Sequence, residues 1–93
     1  VNYDFRPGDF MLIKDQISSF VPSPLIGENI DELGIRFPDM SEIYDIKLRQ
    51  IIKKTAALLD IDIKEGTYLQ FTGPAYESPA EIKMCRALGM LSE

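Results

Sequence analysis

Apolar and polar positions divide the first forty residues into a predicted strand and a long irregular loop. The turn-forming residues 6–9 (RPGD) precede the apolar run 10–13 (FMLI). A short apolar run bounded by turn residues is typical of a strand buried on both faces, as in a parallel sheet covered by helices. Residues 18–39 keep no periodicity, although they are rich in apolar side chains. Because long connections are uncommon in compact domains and often functional, we expect this loop to pack against another surface, such as a second subunit.

Residues 41–60 carry the clearest helical pattern. Apolar side chains recur at three- and four-residue steps from Met40 to Leu59, which is the spacing of an amphipathic helix. Asp39 or Ser41 is placed to cap the start of this helix. The basic side chains between the apolar positions predict a solvated face, to which we assign no function: Lys47, Arg49, Lys53 and Lys54.

A second strand and a second helix follow. Residues 64–66 (KEG) predict a turn into a strand over 67–72 (TYLQFT), which is rich in strand-forming residues and ends at a Gly-Pro pair. Residues 78–81 (SPAE) then combine an N-cap serine, a proline at the first helical position and a glutamate placed to close a capping box. We expect this helix to end at Gly89. The order strand, long loop, helix, strand, helix indicates an α/β fold with a parallel sheet.

Composition limits the class of protein. A chain of 93 residues with 45% hydrophobic and 27% charged side chains suits one small globular domain. The formal net charge of −5 argues against nucleic acid or an anionic membrane as the main partner, because both favour a basic surface. The sequence shows no apolar run of membrane-spanning length and no basic-then-apolar leader, so we expect a cytoplasmic protein.

The residue types also limit the chemistry. The chain contains no histidine, which excludes Ser-His and Cys-His nucleophiles and histidine metal sites within it. Its single cysteine, Cys85, excludes an internal disulfide and a thiolate-rich metal site. Because Cys85 falls on the apolar side of the second helix, we expect a buried structural thiol. Catalysis would therefore require carboxylates, hydroxyls, backbone donors or residues outside this chain.

The connection between the second strand and the second helix carries the candidate site. In open α/β sheets, ligands bind beyond the carboxyl ends of the strands, where residues 73–77 are expected to lie. Glu81 has a structural role in the capping box, whereas Glu77 precedes the N-cap and has none. Tyr76 beside Glu77 suits a flat heterocycle with N–H donors, because the ring stacks and the carboxylate accepts hydrogen bonds. Taken alone, such a pair more often belongs to a tight strand-to-helix connection with no ligand than to a binding site.

Several motifs occur in one order along the chain: residues 15–18 (DQIS), 24–29 (PLIGEN), 36–41 (RFPDMS) with 44–45 (YD), 65–68 (EGTY) and 73–77 (GPAYE). Together they resemble the middle of the trimeric, low-molecular-mass purine nucleoside phosphorylases, which prefer 6-oxopurine nucleosides. The resemblance covers residues 1–89. It implies that residues 1–93 form a single incomplete domain with a partial phosphorylase-type α/β fold: a few mostly parallel strands, two helices and a long loop.

The resemblance implies four substrate-binding residues. The family's aromatic-glutamate pair matches Tyr76, where phenylalanine is common, and Glu77. In the family, the ring packs on the purine and the carboxylate accepts hydrogen bonds from N1–H and from the 2-amino group of guanine. Tyr68 matches a residue that lines the purine site. Phe20 matches an aromatic residue of the long loop that reaches the ribose pocket of a neighbouring subunit, which implies a trimer.

The resemblance also implies the reaction. Orthophosphate, the co-substrate, attacks the anomeric carbon through an oxocarbenium-like transition state, and the purine leaves with no metal or organic cofactor involved. The family's phosphate-binding segments and its asparagine that donates to purine N7 are expected outside residues 1–93. We therefore expect no catalytic residue in this chain and no activity from it alone. Met90 is not matched to the family's base-contacting methionine, because the sequence after Gly89 departs from the family pattern.

Two other functions stay open from the sequence. One is a non-catalytic domain of the same fold that self-associates or binds a purine, for which the apolar loop 20–37 is the supporting feature. The other is a nucleosidase-like hydrolase of the wider superfamily, which the ordered motifs fit less well. The sequence does not distinguish inosine from guanosine as the preferred nucleoside.

Overall fold

The computed structural model describes residues 4–88 of the chain. Strands β1 (Phe10–Ile17) and β2 (Ile63–Leu69) pair in parallel, helix α1 (Ile46–Leu58) lies between them in sequence, and helix α2 (Pro79–Ala87) follows β2. A short 3-10 helix, Asp31–Leu33, interrupts the loop between β1 and α1. The predicted α/β fold with parallel strands, two helices and a long loop is confirmed. The predictions for Gly89 and Met90 lie outside the described residues.

Strand β1 is longer than predicted and less buried. Leu12 is 8% exposed, but Phe10 is 60% exposed, so the prediction that residues 10–13 are buried on both faces is wrong. Among residues 4–88 the sheet has two strands, and β1 therefore has one strand neighbour. The register shifts between Ile13 and Asp15, as at a β-bulge.

Helix α1 begins at Ile46, later than the pattern predicts. Asp45 is its N-cap, with Oδ1 accepting a hydrogen bond from the Leu48 N–H at 2.8 Å. The prediction that Asp39 or Ser41 caps the helix is wrong, because these two residues form hydrogen bonds with each other. Asp39 Oδ1 accepts from the Ser41 N–H at 2.9 Å and from its hydroxyl at 2.6 Å, which closes a local turn before the helix.

Strand β2 lies closer to the N terminus than the predicted range 67–72. Residues 64–66 belong to the strand, so the predicted turn is wrong. The glycine and two charged residues suggested a turn, but Gly66 is buried opposite Ile13. The two charged neighbours both have ion-pair partners, which allows them to lie within a strand.

Ion pairs connect β2 to α1. Glu65 Oε2 lies 2.6 Å from Lys53 Nζ and 3.5 Å from Arg49 Nη1. The hydrogen bond from Lys53 is the main cause that lowers the pKa of Glu65. The predicted solvated face is confirmed for Lys47, Lys53 and Lys54, which are exposed, and is wrong for Arg49, which is half-buried against Glu65.

The best buried cluster joins α2 to the carboxyl ends of the strands. Cys85 is 2% exposed and Leu69 6% exposed, and Ile17 and Phe71 pack against them. The predicted burial of the Cys85 thiol is confirmed. The corner that follows β2 is thus built on the most buried part of the described chain.

The loop between β1 and α1 remains largely exposed. Its apolar side chains include Ile26 at 74%, Leu33 at 82%, Ile35 at 72% and Phe37 at 86% exposure. We expected the loop to pack against another surface, but residues 4–88 do not cover these four side chains. In the same range of residues, no helix is long and apolar enough to cross a membrane.

Candidate functional site

Helix α2 begins where the sequence predicts. The Ser78 hydroxyl accepts from the Glu81 N–H at 3.3 Å, and Glu81 Oε2 accepts from the Ser78 N–H at 2.6 Å. Pro79 occupies the first helical position. The Ser78 backbone N–H is the main cause that lowers the pKa of Glu81. The predicted capping box is confirmed, and it fixes the helix start at the corner after β2.

A cavity of about 270 Å³ lies at the carboxyl end of β2, against α2. This is the edge at which parallel α/β sheets bind ligands. Gly73 has φ +59° and is followed by a cis peptide bond to Pro74, so the chain turns here through a conformation that favours glycine. The cavity is lined by residues of the strand end, the corner and the helix: Tyr68, Leu69, Gln70, Phe71, Gly73, Glu77, Ile82 and Cys85.

Glu77 and Tyr76 project from the corner in different directions. Glu77 lines the cavity, whereas Tyr76 is 97% exposed and lies outside the lining. Within residues 4–88 the Glu77 carboxylate has neither a hydrogen bond nor an ion pair. Its acceptor oxygens are therefore available to a ligand.

Phe20 borders the cavity through a ring contact. Its ring stacks on Phe71 with centroids 5.5 Å apart and planes at 15°, and Phe71 lines the cavity. Phe20 remains 45% exposed. The structure thus places Phe20 against its own chain, and its contact with the ribose pocket of a neighbouring subunit stays a prediction.

The four predicted site residues do not all come together. Tyr68 and Glu77 line the cavity, and Tyr76 does not. Phe20 is not a lining residue but stacks on one, Phe71. Sequence reasoning missed Phe71 and Gln70. Both residues directly follow a strand, which is where ligands bind. The predicted strand 67–72 includes them, so this position was not recognised.

The cavity can hold a small, flat, polar ligand. The Glu77 carboxylate supplies acceptors, and the Gln70 amide can donate and accept. Tyr68 and Phe71 supply aromatic surface beside these polar groups. Among the described residues, no group of three or more His, Cys, Asp or Glu side chains is arranged to hold a metal ion.

This geometry assigns the chain to a class and, with the comparisons, to a family. Parallel strands joined through a helix, with a ligand-sized cavity at their carboxyl end, define an α/β protein with its site at the edge of the sheet. Residues 1–93 match the family model of the phosphorylase superfamily. The chain belongs to that superfamily.

Two bacterial purine nucleoside phosphorylases are similar to the chain in sequence. Over 89 residues the chain is 52% identical to purine nucleoside phosphorylase 1 of Geobacillus stearothermophilus and 47% identical to that of Bacillus subtilis (strain 168). Both alignments cover 96% of this chain but only 32% and 33% of the relatives, so the chain spans about a third of their length. The resemblance to purine nucleoside phosphorylases is confirmed, and the trimeric state stays a prediction.

Solved structures share the fold. The purine nucleoside phosphorylase of Schistosoma mansoni in complex with adenosine is similar with a TM-score of 0.84 and 33% identity, over 96% of this chain and 34% of that chain. A purine nucleoside phosphorylase in complex with ribose 1-phosphate gives a TM-score of 0.83 and 33% identity, over 96% and 35%. These likenesses confirm the partial phosphorylase-type fold. Nothing in the comparisons favours the non-catalytic alternative.

Proposed function

We propose that the chain is the base-recognising part of a purine nucleoside phosphorylase, which uses phosphate to cleave the glycosidic bond of 6-oxopurine nucleosides. The observation that carries the proposal is Glu77, whose carboxylate has no partner within residues 4–88 and lines a cavity at the carboxyl end of β2. Membership of the phosphorylase superfamily and the names of the bacterial relatives support the reaction.

In the proposed reaction, an oxygen of orthophosphate forms a bond to C1′ of the ribose while the bond from C1′ to purine N9 breaks. The bonding electron pair passes to the purine, which takes up a proton and leaves as the free base beside ribose 1-phosphate. Glu77 would hold the base at N1–H and so orient the nucleoside for attack. The groups that bind phosphate are proposed to lie outside residues 1–93, Phe20 is proposed to reach the ribose pocket of a neighbouring subunit, and no metal or organic cofactor is proposed.

The preference for 6-oxopurines follows from hydrogen-bond polarity. A 6-oxopurine presents N1–H as a donor, whereas adenine presents N1 as an acceptor. A carboxylate accepts but cannot donate, so it offers no hydrogen-bond partner to N1 of adenine. Schistosoma purine nucleoside phosphorylase was solved in complex with adenosine and in complex with guanosine, so each base must be measured with this chain.

Calorimetric titration of the chain with hypoxanthine tests the proposal. Glu77→Gln removes the charge and keeps the shape, and Glu32→Gln is the matched control on the exposed 3-10 helix. Losing a charge-assisted hydrogen bond worth about 1.5–3 kcal/mol is expected to weaken hypoxanthine binding roughly 10- to 100-fold. Adenine should bind Glu77→Gln better than the parent, because the amide can donate to N1.

The control separates local recognition from a general effect of charge. Glu32→Gln should bind hypoxanthine like the parent. Equal affinity of the parent and Glu77→Gln would remove Glu77 from the site. We also expect no hypoxanthine release when the 93-residue chain is mixed with inosine and phosphate, and measurable release would show that the catalytic groups are within the chain.

The association state is a separate part of the proposal. We infer a homo-oligomer, a trimer as in the resembled family, and the support is the exposed apolar side chains of the loop, among them Leu33 and Phe37. Light scattering of the purified chain should give a mass above that of one chain, and Phe37→Ser should lower it. A parent that stays monomeric at every concentration would contradict this inference. A cytoplasmic location stays a prediction from the sequence.

A further inference from the structure

A hydrogen bond connects the start of α1 to the carboxyl end of β1. Tyr44 Oη donates to Gln16 Oε1 at 2.8 Å across 28 sequence positions, and both residues are half-buried. Tyr44 directly precedes Asp45, the N-cap of α1, and Gln16 is the last residue but one of β1. The proposed chemistry makes no use of this pair, so its position needs a separate explanation.

Tyr44 is fixed at its backbone as well as at its hydroxyl. Arg49 Nε donates to the Tyr44 carbonyl oxygen at 3.1 Å. Arg49 Nη1 in turn lies 3.5 Å from Glu65 Oε2 on β2. These contacts connect Tyr44 to both strands and to α1, which sets where its hydroxyl lies.

Gln16 lies beside the strand end that lines the cavity. It is opposite Tyr68 in the parallel register, and Ile17 is opposite Leu69. The Ile17 carbonyl oxygen accepts from the Gln70 N–H at 3.1 Å. Neighbouring strands are only about 4.8 Å apart, so we expect a displacement at Gln16 to reach Tyr68, Leu69 and Gln70. These three residues belong to the cavity lining.

We propose that Tyr44 is a positioning residue of the base site, acting through Gln16 on the cavity-lining end of β2. The hydroxyl fixes the Gln16 amide in one orientation and holds the end of β1 against the start of α1. Without it, the half-buried carbonyl oxygen of Gln16 loses its donor, which is costly, and the end of β1 can move. The effect on base binding rests on the proposed function, whereas the effect on the end of β2 does not.

Tyr44→Phe tests this role, because it deletes the hydroxyl and keeps the ring. The matched control is Asp45→Ala, which removes the N-cap of the same helix and leaves the Tyr44 hydroxyl in place. NMR signals of the Tyr68 ring and the Gln70 amide are compared without ligand. We expect both signals to shift in Tyr44→Phe and to stay in Asp45→Ala. Unshifted signals in Tyr44→Phe, or equal shifts in both variants, overturn the proposal whether or not the chain binds a base.

Hypoxanthine affinity gives the second readout. Tyr44→Phe should bind about 3- to 10-fold more weakly, the effect of one hydrogen bond worth about 1 kcal/mol, while Asp45→Ala loses stability in urea and keeps its affinity. Adding Tyr44→Phe to Gln16→Leu should change nothing further, because the acceptor is already absent. If the parent binds hypoxanthine and Tyr44→Phe binds it equally, the role in the base site is overturned. If the parent does not bind it, the proposed function fails and the ligand-free signals alone decide the positioning of β2.

Discussion

The corner after β2 and the loop between β1 and α1 both contain apolar side chains, but the corner buries them and the loop leaves them exposed. At the corner, Cys85 is 2% and Leu69 6% exposed beside a closed capping box. In the loop, Leu33 is 82% and Phe37 86% exposed, and the hydrogen bonds are mostly local. Apolar side chains are buried only where another element of residues 4–88 covers them. The corner is therefore held by tertiary packing, and the loop by short-range hydrogen bonds.

The same leucine truncation in both regions tests this difference most strongly. Leu69→Ala should lower the free energy of unfolding by about 2–5 kcal/mol, because it opens a cavity in the buried cluster. Leu33→Ala should change it by less than about 0.5 kcal/mol, as is usual for exposed positions. Urea denaturation measures both. Equally small effects would mean that the corner has no packed core.

Serine truncation gives a smaller effect. Ser78→Ala should cost about 1 kcal/mol through loss of the N-cap of α2. Ser23→Ala removes only an exposed bond from the Leu25 N–H, at 3.2 Å, and should be nearly neutral. Local opening of α2 exposes the buried Cys85, so its labelling by a thiol reagent should be several-fold faster in Ser78→Ala. Labelling at the parent rate would show that the capping box does not hold α2 in place.

Acid should produce the smallest effect. The pKa of Glu81 is lowered from 4.5, first by the Ser78 backbone N–H, and the pKa of Asp39 is lowered from 3.8, first by the Ser41 hydroxyl. The unfolded chain therefore binds these protons more tightly. The stability that each carboxylate contributes is present above its ordinary pKa and lost as the pH falls through the lowered one.

Urea midpoints at successive pH values measure this loss. The midpoint of the parent should fall as the pH drops below 4.5, and Glu81→Gln should flatten this part of the curve. Asp39→Asn should flatten the curve only below 3.8. A parent and Glu81→Gln with the same slope would contradict the role of Glu81 in the folded corner.

The corner could be predicted because its signals are local. The helix start is encoded within residues 78–81, where side chains bond to backbone groups three positions away. The parallel pairing followed from the order of the elements. The position of Tyr76 outside the cavity lining, by contrast, is specified by no residue pattern in the segment.

The rest depended on contacts between distant residues. The sequence pattern predicts Asp39 or Ser41 as the cap of α1, whereas the structure uses Asp45. Its use coincides with the Tyr44–Gln16 bond, which fixes the chain one residue earlier through a partner 28 positions away. Likewise, Glu65 can lie in a strand because Lys53 and Arg49 reach it from α1. Periodicity within a segment carries no information about such partners.

Base recognition by this chain depends, in our proposal, on a hydrogen bond from purine N1–H to the Glu77 carboxylate. The most direct test compares hypoxanthine with 1-methylhypoxanthine, which keeps the ring and lacks the donor, in calorimetric titrations of the parent and of Glu77→Ala. We predict that the parent binds the methylated base at least about tenfold more weakly, as expected for a bond to a charged group, and that Glu77→Ala does not distinguish the two. Equal affinities in the parent, or the same discrimination in Glu77→Ala, would contradict the claim.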